Sequence, residues 1–322
     1  MAPRRSRSKR RSAVPGVVGD ERCQECSGLS ESSQLHRPET VIEILRAAER
    51  YLAEREIDQP RLSVELLMAQ VLSMGRLELY LAYDRPVSEE ERVRLRDLVG
   101  GRGRAIPLAH LLGEWSFRSV TVKVTPDVLV PRPETEFLVD LALERAPEGA
   151  RCAELGTGSG VIAVAMALER VDLQIDAVEI CPRAANVARE NIEAHGVGDR
   201  VRVHVGSWWE PLLDHDPFDL LISNPPYVDP QREDLLDPEV RAHEPAVALF
   251  THAGDPASAY KEILAGVPAH LRPGAGLTLE TGVEAADPAR ELFEQADCLE
   301  GTALTEDLAG LPRYLTAICC VP

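Results

Sequence analysis

The chain has 322 residues, enough for one large domain or two ordinary ones around a sizeable core. A formal net charge of −18 disfavours phosphate backbones as partners, and no apolar run approaches the roughly 20 residues that span a bilayer, so a soluble protein is expected. Seven cysteines, odd in number and scattered, exclude a disulfide framework and fit a reducing cytoplasm.

The charge is unevenly placed. Residues 1–36 carry seven bases (Arg4, Arg5, Arg7, Lys9, Arg10, Arg11, Arg22) against four acids (Asp20, Glu21, Glu25, Glu31), which leaves −21 on the remainder. The Arg4–Arg11 run has no apolar segment of a secretory signal, and no amphipathic helix follows it, so residues 1–36 read as a disordered basic tail. Cys23-x-x-Cys26 lacks the second pair a zinc site needs, and no metal is expected. Cys152, Cys181, Cys298, Cys319 and Cys320 sit in apolar or strand-like contexts and read as small core residues.

Order is expected from Arg37. Thr40 with Glu43 forms a capping box, and Val41, Ile44, Leu45, Ala48 and Leu52 share one helical face. Pro60 starts a second helix with Leu62, Leu66, Leu67 and Val71; Ser88 with Glu91 caps another, ending at Gly100-Gly101. Phe117–Val124 alternates in strand fashion and Val128–Val130 follows Pro126-Asp127, which predicts a hairpin linking two halves. From Arg151 strands and helices alternate. Strands are predicted at 151–155, 175–179, 201–205, 218–223, 276–280 and 314–320, with helices at 161–169, 183–195 and 257–265. That alternation argues for a mostly parallel sheet covered on both faces.

Three features carry chemistry. Gly156-Thr157-Gly158-Ser159-Gly160 joins a strand to a helix, where glycines permit a sharp turn and close approach to a ligand. Gly160 comes one residue early for a G-x-G-x-x-G dinucleotide loop, a spacing closer to that of S-adenosylmethionine sites. Glu179 ends the next strand, where an acid can accept from both ribose hydroxyls of an adenosine. Trp208 and Trp209 follow the third strand; one indole suits an adenine ring and the other belongs in the core. Asn224-Pro225-Pro226-Tyr227 ends a buried strand. Its prolines make a stiff loop rich in carbonyl acceptors, Asn224 adds a side-chain acceptor, and Tyr227 offers a flat face, which together suit a planar NH2 group.

Taken with Ala109–Gly113, Val130–Glu136, His243-Glu244-Pro245 and Asp307–Gly310, these segments resemble the bacterial protein-(glutamine-N5) methyltransferases that modify peptide-chain release factors, within the class I S-adenosylmethionine-dependent superfamily. The resemblance implies an α/β fold: a Rossmann-like sheet (131–322), a β-hairpin linker (111–130) and an N-terminal helical domain for substrate recognition (37–110). It also implies that Gly156, Thr157, Gly158, Ser159, Gly160, Glu179, Trp208 and Asn224 bind S-adenosyl-L-methionine. Asn224, Pro225, Pro226 and Tyr227 would enclose the substrate glutamine, with Asn224, Pro225 and Tyr227 catalytic. The implied partners are release factors, with no nucleic acid or membrane, and the chain is expected to act as a cytoplasmic monomer. Two departures stand out: Ser207 replaces the family's Asp before the tryptophan, and Asp255-Pro256-Ala257 lacks the glycine that the family often has after that Asp. The tetrapeptide is shared with adenine-specific DNA and RNA methyltransferases, the first alternative; a catalytically silent cofactor-binding scaffold is the second.

Overall fold

Apolar residues at helical spacing build the first five elements of the computed structural model, which describes residues 39–320. The expected tail and the Cys23–Cys26 pair lie outside those residues. Helices α1 (Val41–Ala53), α2 (Pro60–Leu72), α3 (Arg76–Leu81), α4 (Glu89–Arg102) and α5 (Leu108–Leu112) pack around Leu45, Leu52, Val64, Leu67, Met68 and Leu95. Both capping boxes form: the backbone amides of Thr40 and Ser88 each donate at 2.8 Å to the glutamate three residues on. The carboxylate of Glu65 is buried within this bundle and is held there by Arg61, Arg76 and Tyr80. Helix α4 does not stop at Gly100-Gly101. It continues to Arg102, because Gly101 serves packing: a Cβ there would lie 2.8 Å from Leu111 Cδ2.

The hairpin is displaced from its expected register. Strand β1 (Glu114–Phe117) pairs with β2 (Val120–Lys123) across Arg118-Ser119, and Val128–Val130 is not a strand. Its inward residues Phe117, Val120 and Val122 join the core under the sheet, and Asn191 bonds both main-chain groups of Lys123 at 2.7 and 3.0 Å.

After α6 (Glu134–Arg145) the chain alternates: β3 (Arg151–Leu155), α7 (Val161–Glu169), β4 (Gln174–Glu179), α8 (Pro182–Ala194), β5 (Val201–Val205), β6 (Phe218–Ser223). Short helices α9 (Pro238–His243) and α10 (Ala246–Leu249) precede α11 (Ser258–His270), β7 (Leu271–Glu280), α12 (Val283–Gln295), β8 (Leu299–Glu306) and β9 (Pro312–Cys319). The sheet order is β5-β4-β3-β6-β7-β9-β8, parallel except at β9, which runs antiparallel to both β7 and β8. Alternate strand residues feed two cores. Cys152, Ile175 and Leu220 face α6, α7 and the hairpin, whereas Ala153, Leu221 and Leu277 face α11 and α12. Of the described cysteines, Cys152, Cys298 and Cys319 are buried as expected, but Cys181 is half-buried and Cys320 is exposed. No helix among the described residues is long and apolar enough to cross a membrane.

Candidate active site

From β3 the chain steps outward to β4 and β5 on one side and then crosses back to β6 on the other side of β3, so the strand order reverses and a crevice opens at the carboxyl ends of β3 and β6. A cavity of about 260 Å³ lies there. Gly156, Thr157, Gly158, Ser159, Glu179, Trp208, Asn224 and Pro226 all line it, although up to 70 positions separate them in the chain.

The glycine loop is fixed from below. Gly156 and Thr157 both donate to Val178 O, at 2.9 and 3.0 Å, and Asn191 Nδ2 donates to Ser159 O at 2.8 Å. Gly156 and Gly158 have φ of 77° and 57°, a region that disfavours any side chain. A Cβ on Gly158 would meet no protein atom within 4 Å, so its bareness faces the open cleft. Gly160 does not line the cavity. It caps α7 at φ 78°, and a Cβ there would lie 3.1 Å from Ala188 Cβ, so it permits α7 to pack on α8.

Glu179 is 7% exposed, and its two oxygens accept from Gly158 N and Cys181 N, each at 2.9 Å. Burial raises its pKa above the ordinary carboxylate value despite these bonds. Trp208 is half-buried at φ 42°, an unusual conformation for a bulky residue, and its Nε1 donates to Glu262 at 2.7 Å. Trp209 is the core tryptophan: it donates to Ile263 O at 2.8 Å and stacks on His270 with centroids 4.7 Å apart. Ser207 lines the cleft and makes a main-chain bond to Glu210 at 3.3 Å.

The tetrapeptide divides. Asn224 and Pro226 face the cavity, whereas Pro225 is buried and Tyr227 lies against the backbone of Gly282, where a Cβ would be 2.6 Å from Tyr227 Cδ2. Asn224 Nδ2 donates to Thr135 Oγ1 at 3.2 Å, and Thr135 Oγ1 donates to Glu280 Oε2 at 2.8 Å. Sequence reasoning assigned no role to Thr135 or Glu280, which join Asn224 only through the fold. The remaining motif segments are struts. Glu244 is buried and accepts from Arg132 at 2.6 Å and from Val130 N at 3.2 Å, tying His243–Pro245 to the Val130–Glu136 turn. Asp307 accepts from Ala309 N at 2.9 Å and Leu311 N at 3.1 Å, shaping the turn before β9.

A backbone cradle, an acid at the next strand end and an indole across the cleft form the donor and acceptor set that a nucleoside carrying an amino acid requires. Two family models match: the PrmC N-terminal domain over residues 43–113 and the methyltransferase small domain over 133–239. The release factor glutamine methyltransferase of Geobacter sulfurreducens is 39% identical over 86% of this chain and 95% of its own. That of Chlorobaculum tepidum is 37% identical over 79% and 89%, and that of Nitratidesulfovibrio vulgaris 37% over 86% and 95%. The chain belongs to the release factor glutamine methyltransferase family. The glycine loop and the Asn224 turn both fall within the methyltransferase match, and the helical bundle falls within the N-terminal one. Members of this family are S-adenosylmethionine-dependent, and the cleft's cradle and acid fit that cofactor.

Proposed function

We propose that this chain transfers a methyl group from S-adenosyl-L-methionine to the side-chain amide nitrogen of the glutamine in the Gly-Gly-Gln motif of release factors. The observation that carries this reading is the meeting of the glycine loop, Glu179 and Asn224 in one cleft of a chain with this family membership. The backbone of Gly156–Ser159 and the carboxylate of Glu179 hold the cofactor's amino-acid and ribose parts, and Trp208 covers its adenine. When bound, the cofactor supplies an electrophilic sulfonium methyl. The amide nitrogen is a poor nucleophile because its lone pair is delocalised into the carbonyl. Asn224 Oδ1 and the Pro225 carbonyl accept the two amide protons, which aligns the nitrogen and stabilises positive charge as it develops there. Pro226 and Tyr227 stiffen the turn that holds these acceptors. No strong general base is needed, since the surplus proton can pass to water.

Residues 37–110 serve as the module that selects the release factor, 111–130 as linker and 131–322 as the catalytic domain, acting as a cytoplasmic monomer without direct contact to nucleic acid. The test is incubation with methyl-labelled cofactor and purified release factor, followed by peptide mapping. Label is expected on the Gly-Gly-Gln glutamine and absent once that residue is glutamate. Label at another residue, or transfer to adenine in DNA or RNA, would overturn the assignment.

A further inference from the structure

An asparagine can orient a substrate amide only if its oxygen faces the substrate, and an amide has no intrinsic preference between its two ends. We infer that Thr135 and Glu280 are positioning residues that set the polarity of Asn224, turning its Oδ1 to the cleft and its NH2 away. This deepens the proposed function and rests on it in one respect: that Asn224 accepts a proton of the substrate amide.

The inference follows from donor and acceptor capacity. Glu280 ends β7 and Asn224 follows β6, its parallel neighbour; Thr135 lies in the first turn of α6. Thr135 and Glu280 are 3% and 1% exposed, so water does not offer alternatives. An ionised carboxylate only accepts. Thr135 must therefore spend its one proton on Glu280, at 2.8 Å, and present a lone pair toward Asn224. The group that meets a lone pair at 3.2 Å is the Asn224 NH2, which leaves Oδ1 as the end turned elsewhere. The carboxylate thus acts through two hydrogen bonds on a side chain it does not touch.

Protonation would reverse the chain. A neutral Glu280 can donate to Thr135, whose hydroxyl is then free to donate to Asn224 Oδ1. Asn224 would turn its NH2 to the cleft, where it meets the NH2 of the substrate. Burial pushes the Glu280 carboxyl up to about 7, opposed by its bond to Thr135 and by Arg313. The charged and titratable groups facing it are Arg313 and Tyr314 of β9, Arg132 just before α6, Glu134 at its start, and Tyr227 after β6. Tyr260 of α11 donates to its main-chain oxygen at 2.8 Å. The reversal therefore falls near neutral pH, with the acid side inactive.

Two measurements test this. In single-turnover methyl transfer at saturating cofactor, Thr135→Val should slow the reaction about tenfold or more, while Thr135→Ser, which keeps the hydroxyl, should restore it to within about threefold. Affinity for S-adenosylhomocysteine and melting temperature serve as controls and should hold in both. The wild-type rate should fall as pH drops through about 7, and Glu280→Gln should abolish that limb. The second measurement needs no substrate: the NMR signal of the Asn224 side-chain amide should titrate over the same pH range and stop titrating in Glu280→Gln. An unmoved Asn224 signal, or an acid limb that persists in Glu280→Gln, would overturn the inference. A wild-type protein whose Asn224 titrates but which leaves release factors unmodified would instead overturn the proposed function and leave the relay standing.

Discussion

Replacing Glu179 by alanine should weaken binding of S-adenosylhomocysteine, the demethylated product, without weakening the fold. The carboxylate is 7% exposed and lines the cleft, each of its oxygens bonded to one backbone N–H and each retaining a lone pair for a ligand hydroxyl. Two hydrogen bonds from a ribose to a charged acceptor are worth about 1.5–3 kcal/mol each. Because about 1.4 kcal/mol is a factor of ten, losing both should raise the dissociation constant by roughly 100-fold to 10,000-fold. Removal of the anchor on Gly158 acts in the same direction, since that N–H holds the loop in place.

The sign for stability is opposite. Burial raises the folded-state pKa of Glu179 above its unfolded value, so its contribution to stability is present at low pH and lost as pH rises through the raised value. At neutral pH the charge is a cost to the ligand-free protein, and Glu179→Ala should not lower the melting temperature. Ligand hydroxyls favour the ionised form, so wild-type affinity should weaken as pH falls toward that raised value, and the mutant should lose this dependence. Isothermal calorimetry across pH measures both effects. An unchanged dissociation constant in Glu179→Ala would remove this residue from the cofactor site and refute the reasoning.

Asn224→Ala keeps the Pro-Pro turn but removes an acceptor, so single-turnover transfer at saturating cofactor should fall about 100-fold with little change in melting temperature. A near-normal rate would show that Asn224 only binds. Glu154 is fully buried at the end of β3, and burial pushes its carboxyl from 4.5 to about 8. Between those values the folded protein holds a proton that the unfolded chain has released, so stability falls by about 1.4 kcal/mol per pH unit on this account alone. Denaturant titrations of Glu154→Gln should show a slope shallower by about one proton; an equal slope would place the titration elsewhere.

What the sequence disclosed was local in range. Capping boxes span three residues, and the apolar runs at 151–155 and 218–223 match β3 and β6 residue for residue, because a central parallel strand is buried on both faces. Signals failed where tertiary packing changed their meaning. Gly100-Gly101 reads as a stop, yet Gly101 makes room for Leu111. The β1–β2 turn uses Arg118 at φ 50° in place of the Asn-Gly or Asp-Gly that would have announced it. Strand β8 is largely exposed at the sheet edge and carries no apolar alternation, so it was missed. Helix α12 was hidden by Pro288 within its span.

The candidate site divides along the same line. The glycine loop, Glu179 and Asn224 were legible because each sits at a strand end whose neighbours in the chain declare it. Thr135 and Glu280 were not, since they lie 145 positions apart and their partnership exists only once α6 packs on β7. A sequence motif can therefore name the asparagine that lines the cleft, but which end of its amide faces outward is, on the relay inferred above, decided by an acceptor two hydrogen bonds away. That direction of control explains why a carboxylate 1% exposed, which costs free energy to bury, is placed behind a neutral threonine and an asparagine. In its ionised form that carboxylate cannot donate, which fixes the proton on Thr135 and gives Asn224 a single orientation.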